Sequence, residues 1–115
     1  MTVLVRRLEK PGALVSRSDS HQLHSGYVIL DPGKEVGEHT TEGGEELIVM
    51  VEGKAEIISH GHAETVEAPC VVFVPTHTVH NVRNRSKTLL KYVYVVVASD
   101  QSDRAGLSRR ADSNP

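Results

Sequence analysis

The chain has no tryptophan, one phenylalanine and three tyrosines, which excludes a core assembled around aromatic rings. Its single cysteine, Cys70, rules out an internal disulfide and leaves no cysteine pair to hold zinc, so a reducing compartment is expected. Positive charge is not in excess. Thirteen Lys and Arg face fifteen Asp and Glu, for a net charge of −2, and nothing here would neutralise a phosphate backbone. A nucleic-acid partner is therefore not expected. No apolar run is long enough to span a membrane, and Met1 to Val15 is broken by Arg6, Arg7, Glu9 and Lys10 where a signal peptide needs a continuous apolar stretch. The expectation is a soluble, cytoplasmic protein with no membrane partner.

What remains is 115 residues rich in valine, enough for one domain around one core. β-branched side chains favour strands, and no segment shows a helical period. Residues 1–25 read as an arm or edge strand followed by a polar loop. From Gly26 the texture changes to short apolar runs punctuated by turn residues: Asp31-Pro32-Gly33, Gly43-Gly44, Glu52-Gly53-Lys54, His60-Gly61-His62 and Pro75. About nine strands result, including an extended piece over Val36 to Thr41, which points to an all-β barrel or sandwich over 26–98. Residues 99–115 are polar and read as a tail.

Leu47 to Val51, Cys70 to Val74 and Tyr92 to Val97 are apolar at every position, so both faces of these strands need cover. A second copy packing sheet on sheet supplies it most simply, and a homodimer is predicted. The alternative cover is the chain's own N-terminal arm.

Seven histidines, His21, His24, His39, His60, His62, His77 and His80, stand against four aromatics. Imidazole and carboxylate are ligands that Zn, Fe, Mn or Ni accepts, and His39, Glu46 and His80 are each competent ones. Forty-one positions separate the two histidines, so only a fold can bring them together.

Gly33, five residues, His39, one residue, Thr41, four residues, Glu46, six residues and Gly53 follow one another, and Pro75, His77, His80 and Asn84 form a second series. This spacing resembles the two motifs of the cupin family. Three positions depart from it: Thr41 stands where a second His is usual, and Pro69 and His77 stand where Gly is usual. The resemblance covers most of Gly26 to Val97. It implies a double-stranded β-helix, or jelly-roll barrel, with a divalent metal held inside by His39, Glu46 and His80.

Strand parity agrees with that transfer, since Glu46, Ile48 and Met50 share a face and Glu45 points away. Thr41 is a poor ligand for such cations, which leaves two His and one carboxylate, a set that resembles the facial triad of non-haem iron oxygenases. The alternative is a barrel that holds no metal. Thr41 and His77 are additional candidates at the site, although His77 is equally a residue that tolerates a left-handed backbone. Two functions follow. One is a metal-dependent enzyme, an oxygenase or isomerase acting on a small polar molecule; the other is a non-catalytic module that binds metal or a small ligand.

Overall fold

Eight strands follow one another, and the turn residues set where each one stops. A computed structural model describes residues 3–98, so the expected tail over 99–115 lies outside the described residues. Strand β1 (Gly12–Val15) and β2 (Leu23–Leu30) flank a polar loop, and β2 ends at the Pro32-Gly33 turn. β3 (Glu45–Glu52) reverses through Gly53 into β4 (Lys54–Ser59), and β4 reverses through His60 and Gly61 into β5 (His62–Glu67). β6 (Cys70–Val74) stops at Pro75, and β7 (His80–Arg83) and β8 (Leu90–Val97) complete the strands among the described residues. Gly53 cannot be replaced cheaply. Its φ is +92°, and an added Cβ would lie 2.3 Å from the Leu89 carbonyl oxygen.

The strands form two antiparallel sheets, one in the order β1-β2-β8-β3-β6 and the other β5-β4-β7. The all-β expectation holds. The extended piece expected at Val36 to Thr41 is a bridging segment and not a strand. Glu35 pairs with Arg83 and His39 with His80, but no continuous ladder joins them. Gly37 is the reason: it sits at φ +107°, and its N–H donates to the Asn81 side-chain oxygen at 2.8 Å instead of to a neighbouring backbone. His39 and His80 nevertheless exchange both backbone hydrogen bonds at 2.9 Å, which fixes one histidine directly against the other.

The core lies between the sheets. Ile48, Met50, Val74, Val82, Leu90 and Tyr92 are buried there, and each such side chain contributes on the order of 2 kcal/mol of apolar burial. Asn84 is fully buried and fully satisfied. Its amide donates to the carbonyls of Leu30 and Thr88, while its oxygen accepts from the N–H and the hydroxyl of Ser86. It therefore ties the end of β2 to the turn after β7.

The outward face of the five-stranded sheet is bare over β3 and β6, whereas Ser25 and Tyr27 on the outward side of β2 are buried. Val71 and Phe73 are more than half exposed, and Leu47 is 38 % exposed. Among the described residues the N-terminal arm does not cover them, because Val3, Leu4, Val5 and Leu8 are themselves exposed.

Candidate metal centre

Three elements converge at one end of the barrel. His39 comes from the bridging segment, Glu46 from the second position of β3, and His80 from the first position of β7. One ligand atom from each lies within 4.8 Å of the others. Glu46 and His80 are buried, while His39 is partly exposed at the mouth. Glu45 is exposed, as parity requires.

Hydrogen bonding settles how the rings face. His39 Nδ1 lies 2.8 Å from the Gly37 carbonyl oxygen, and His80 Nδ1 lies 3.0 Å from the Thr78 carbonyl oxygen. A carbonyl only accepts, so each Nδ1 carries the proton and donates to the residue two positions earlier. In the neutral tautomer this leaves both Nε2 lone pairs free for the interior. It is the outer support that metal-binding histidines require.

His80 Nε2 lies 2.9 Å from Glu46 Oε1. With Nδ1 already a donor, that contact is favourable only if a proton or another cation sits between the two atoms. The carboxylate holds the His80 pKa above the ordinary imidazole value, against burial that pulls it down. Two ligands about 2.1 Å from one ion at a right angle would be about 3.0 Å apart, so the observed separation suits a divalent cation as well as a proton. The donor set and its geometry fit a metal.

The other candidates stand differently. The Thr41 hydroxyl donates to the Gly44 carbonyl at 2.9 Å, closing the loop before β3. His77 is exposed, with φ +54°, and lies outside the three-residue cluster. Its N–H donates to the Glu42 carbonyl at 2.6 Å, linking the two loops that rim the mouth. His60 lies in the exposed turn between β4 and β5, His62 is the exposed first residue of β5, and His21 is exposed in the loop before β2.

One residue was not singled out by spacing. His24 pairs with Val96 across β2 and β8, and Val96 pairs with Glu46 across β8 and β3, so His24 lies in the same inward row as Glu46. Its ring meets Tyr94 edge-on, with centroids 6.3 Å apart. Burial and the Arg17 cation lower its pKa, opposed by the Glu46 carboxylate. Only the pairing of β2 with β8 reveals this placement. A separate groove of about 340 Å³, lined by Lys34, Glu35, Arg83 and Arg85, lies at the other end of the β7 pairing, and both arginines rest against Glu56.

Comparison with known proteins agrees with this architecture. The family model described as cupin domain matches residues 26–97. No curated protein matches the chain. Among solved structures, the chain resembles a predicted oxalate decarboxylase from Thermotoga maritima, with a TM-score of 0.74 and 21 % identity over 84 % of this chain and 100 % of that one. A cupin 2 conserved barrel domain protein from Salinispora arenicola gives a TM-score of 0.73 and 22 % identity, covering 90 % and 96 %. An uncharacterised protein with a double-stranded β-helix domain from Klebsiella pneumoniae gives 0.70 and 18 %, covering 82 % of each chain. At these identities the likeness establishes the double-stranded β-helix fold and leaves the chemistry to the site.

Proposed function

The chain belongs to the cupin domain family, and from that premise we propose that it is a metal-dependent enzyme of the oxygenase or isomerase type, acting on a small polar molecule. His39, Glu46 and His80 would hold the ion, which would be Fe, Mn, Zn or Ni. The observation that carries this reading is the matched support of the two rings: each Nδ1 is tied to the carbonyl two residues earlier, and each Nε2 is left for the interior.

When bound, such an ion supplies Lewis-acid polarisation, or redox chemistry if it is iron or manganese, at the positions that three protein ligands leave open. The chain's own groups do the rest. Glu46 contributes the negative charge that offsets the cation, and burial of Glu46 and His80 keeps water from competing there. His39, at the mouth, is the ligand that an entering molecule meets first.

Oxygen uptake and product spectra of metal-loaded protein, offered small oxo acids and hydroxy acids, test this reading. Turnover abolished by Glu46→Gln supports the enzyme. Stoichiometric metal with no turnover of any compound supports instead the non-catalytic metal- or ligand-binding module. No helix among the described residues is long and apolar enough to cross a membrane.

We further propose that two copies pair through the outward face of β6, β3 and β8. Phe73, Leu47 and Val95 form one row of that face, and Val71, Val49 and Val93 form the next. Strand spacing near 4.8 Å and a rise near 3.3 Å per residue give three five-residue strands only about 250 Å² in projection. A stable interface needs about 800 Å² per partner, so the face alone falls short. The exposed arm, with Val3, Leu4, Val5 and Leu8, would supply more by lying on the second copy. A dimeric mass in solution is expected, and a monomer at micromolar concentration would refute the pairing.

A further inference from the structure

The inward face of the sheet carries a second set of polar groups that the three ligands do not use. From the mouth downward, the rows across β2, β8 and β3 read His24, Val96 and Glu46, then Gly26, Tyr94 and Ile48, then Val28, Tyr92 and Met50. With strands about 4.8 Å apart, the His24 backbone stands about 10 Å from that of Glu46, on the opposite flank of the same opening. Tyr94 leans across toward β2. The missing side chain of Gly26 is what allows this, because a Cβ there would lie 2.6 Å from the Tyr94 hydroxyl oxygen.

Among the described residues, the Tyr92 and Tyr94 hydroxyls have no hydrogen-bond partner. The one sealed side-chain oxygen lacking such a partner is Glu56 Oε1, at the far end, so both phenol oxygens open onto accessible space. Tyr92 is otherwise only 3 % exposed, and its row lies on the inward face of the sheet. Burial, then the Glu46 carboxylate and Tyr94, raise the Tyr92 pKa, so it stays a phenol. An inward-facing donor with no partner in the protein is one that a ligand acceptor can pair.

We propose that His24, Tyr92 and Tyr94 form a binding wall for an oxygen-acceptor group, a carboxylate or a carbonyl, on the small molecule that occupies the barrel. All three side chains offer hydrogen-bond donors: two O–H groups and the N–H of a neutral imidazole. The proposal deepens the metal-site reading, which it needs only for the far end of the ligand. It names the substrate class as a small molecule with at least two oxygen functions, one facing His39, Glu46 and His80 and the other facing the wall. Gly26 is a positioning residue, acting through Tyr94.

Malonate, with two carboxylates on a short chain, is the probe. Its binding to metal-loaded and to EDTA-treated protein is read by calorimetry and by tyrosine fluorescence, which no tryptophan obscures. Tyr94→Phe keeps the ring over Gly26 and removes only the donor; it should weaken malonate about tenfold, as the loss of a hydrogen bond to a charged group does. His24→Gln and Gly26→Ala should weaken it too, with metal affinity within about twofold of wild type in Tyr94→Phe and His24→Gln. Wild-type malonate affinity in Tyr94→Phe and His24→Gln, with metal bound, would overturn the wall and leave the metal site standing. Failure to load metal would overturn the metal site, and the EDTA-treated series would then decide the wall alone: malonate binding lost in Tyr94→Phe supports it, and no binding to wild type overturns it.

Discussion

The two faces of β3 differ in burial far more than in composition. Inward, Glu46, Ile48 and Met50 are 6 %, 1 % and 1 % exposed; outward, Leu47 and Val51 are 38 % and 44 % exposed. Apolar character alone does not tell the core from the surface in this strand. Position in the pleat does, and the charged residue sits on the buried side because two imidazoles share its space.

Truncation should separate the faces most sharply. Met50→Ala removes a buried side chain from the middle of the core and should cost about 2–5 kcal/mol of unfolding free energy in urea. Leu47→Ala, one register step from the inward row, should cost under about 1 kcal/mol in the monomeric subunit. Equal losses would break the comparison. Gly53→Ala at the end of the same strand should cost about 1–3 kcal/mol, since both its backbone conformation and the Leu89 carbonyl oppose a side chain.

The outward face predicts a change in assembly with little change in fold. Phe73→Asp places a charge on the bare face and should shift sedimentation from dimer to monomer, with unfolding of the subunit altered by about 1 kcal/mol or less. Retained dimers would place the interface elsewhere.

A smaller effect belongs to the inward charges. In metal-free protein the folded-state His80 pKa is raised by Glu46, so their contact adds stability that is fully present below the unfolded value near 6.5. That contribution is lost as pH rises through the raised folded value. Glu46→Gln should flatten the pH profile of unfolding in metal-free protein. Metal affinity should run the opposite way, rising with pH as the shared proton leaves. A pH profile of unfolding unchanged by Glu46→Gln would refute the shared proton.

Spacing and parity carried much of this arrangement in the sequence. The resemblance to the cupin motif, with six residues between Glu46 and Gly53, implies that Glu46 and not Glu45 faces inward, and the structure buries Glu46 and exposes Glu45. The strand from Cys70 and its stop at Pro75 were legible because apolar runs and prolines act locally. The segment around Gly37 was not. Val36 to Thr41 has strand-like composition, but a left-handed glycine held by Asn81, forty-four positions away, interrupts it. The place of His24 is decided in the same way. Its polar neighbours suggest a loop, and only its partner Val96 on β8 turns it inward. Tyr94 reads in sequence only as part of the apolar run Tyr92 to Val97, because the space left by Gly26 belongs to a different strand. Long-range pairing, not local preference, decides these three.

The metal content of freshly purified protein, measured by mass spectrometry for the wild type and for His80→Ala, decides whether His39, Glu46 and His80 hold an ion. About one transition-metal equivalent per chain is expected in the wild type, lost in the variant. Less than about one-tenth of an equivalent in the wild type after incubation with iron, manganese, zinc and nickel, or full occupancy retained in His80→Ala, would contradict it.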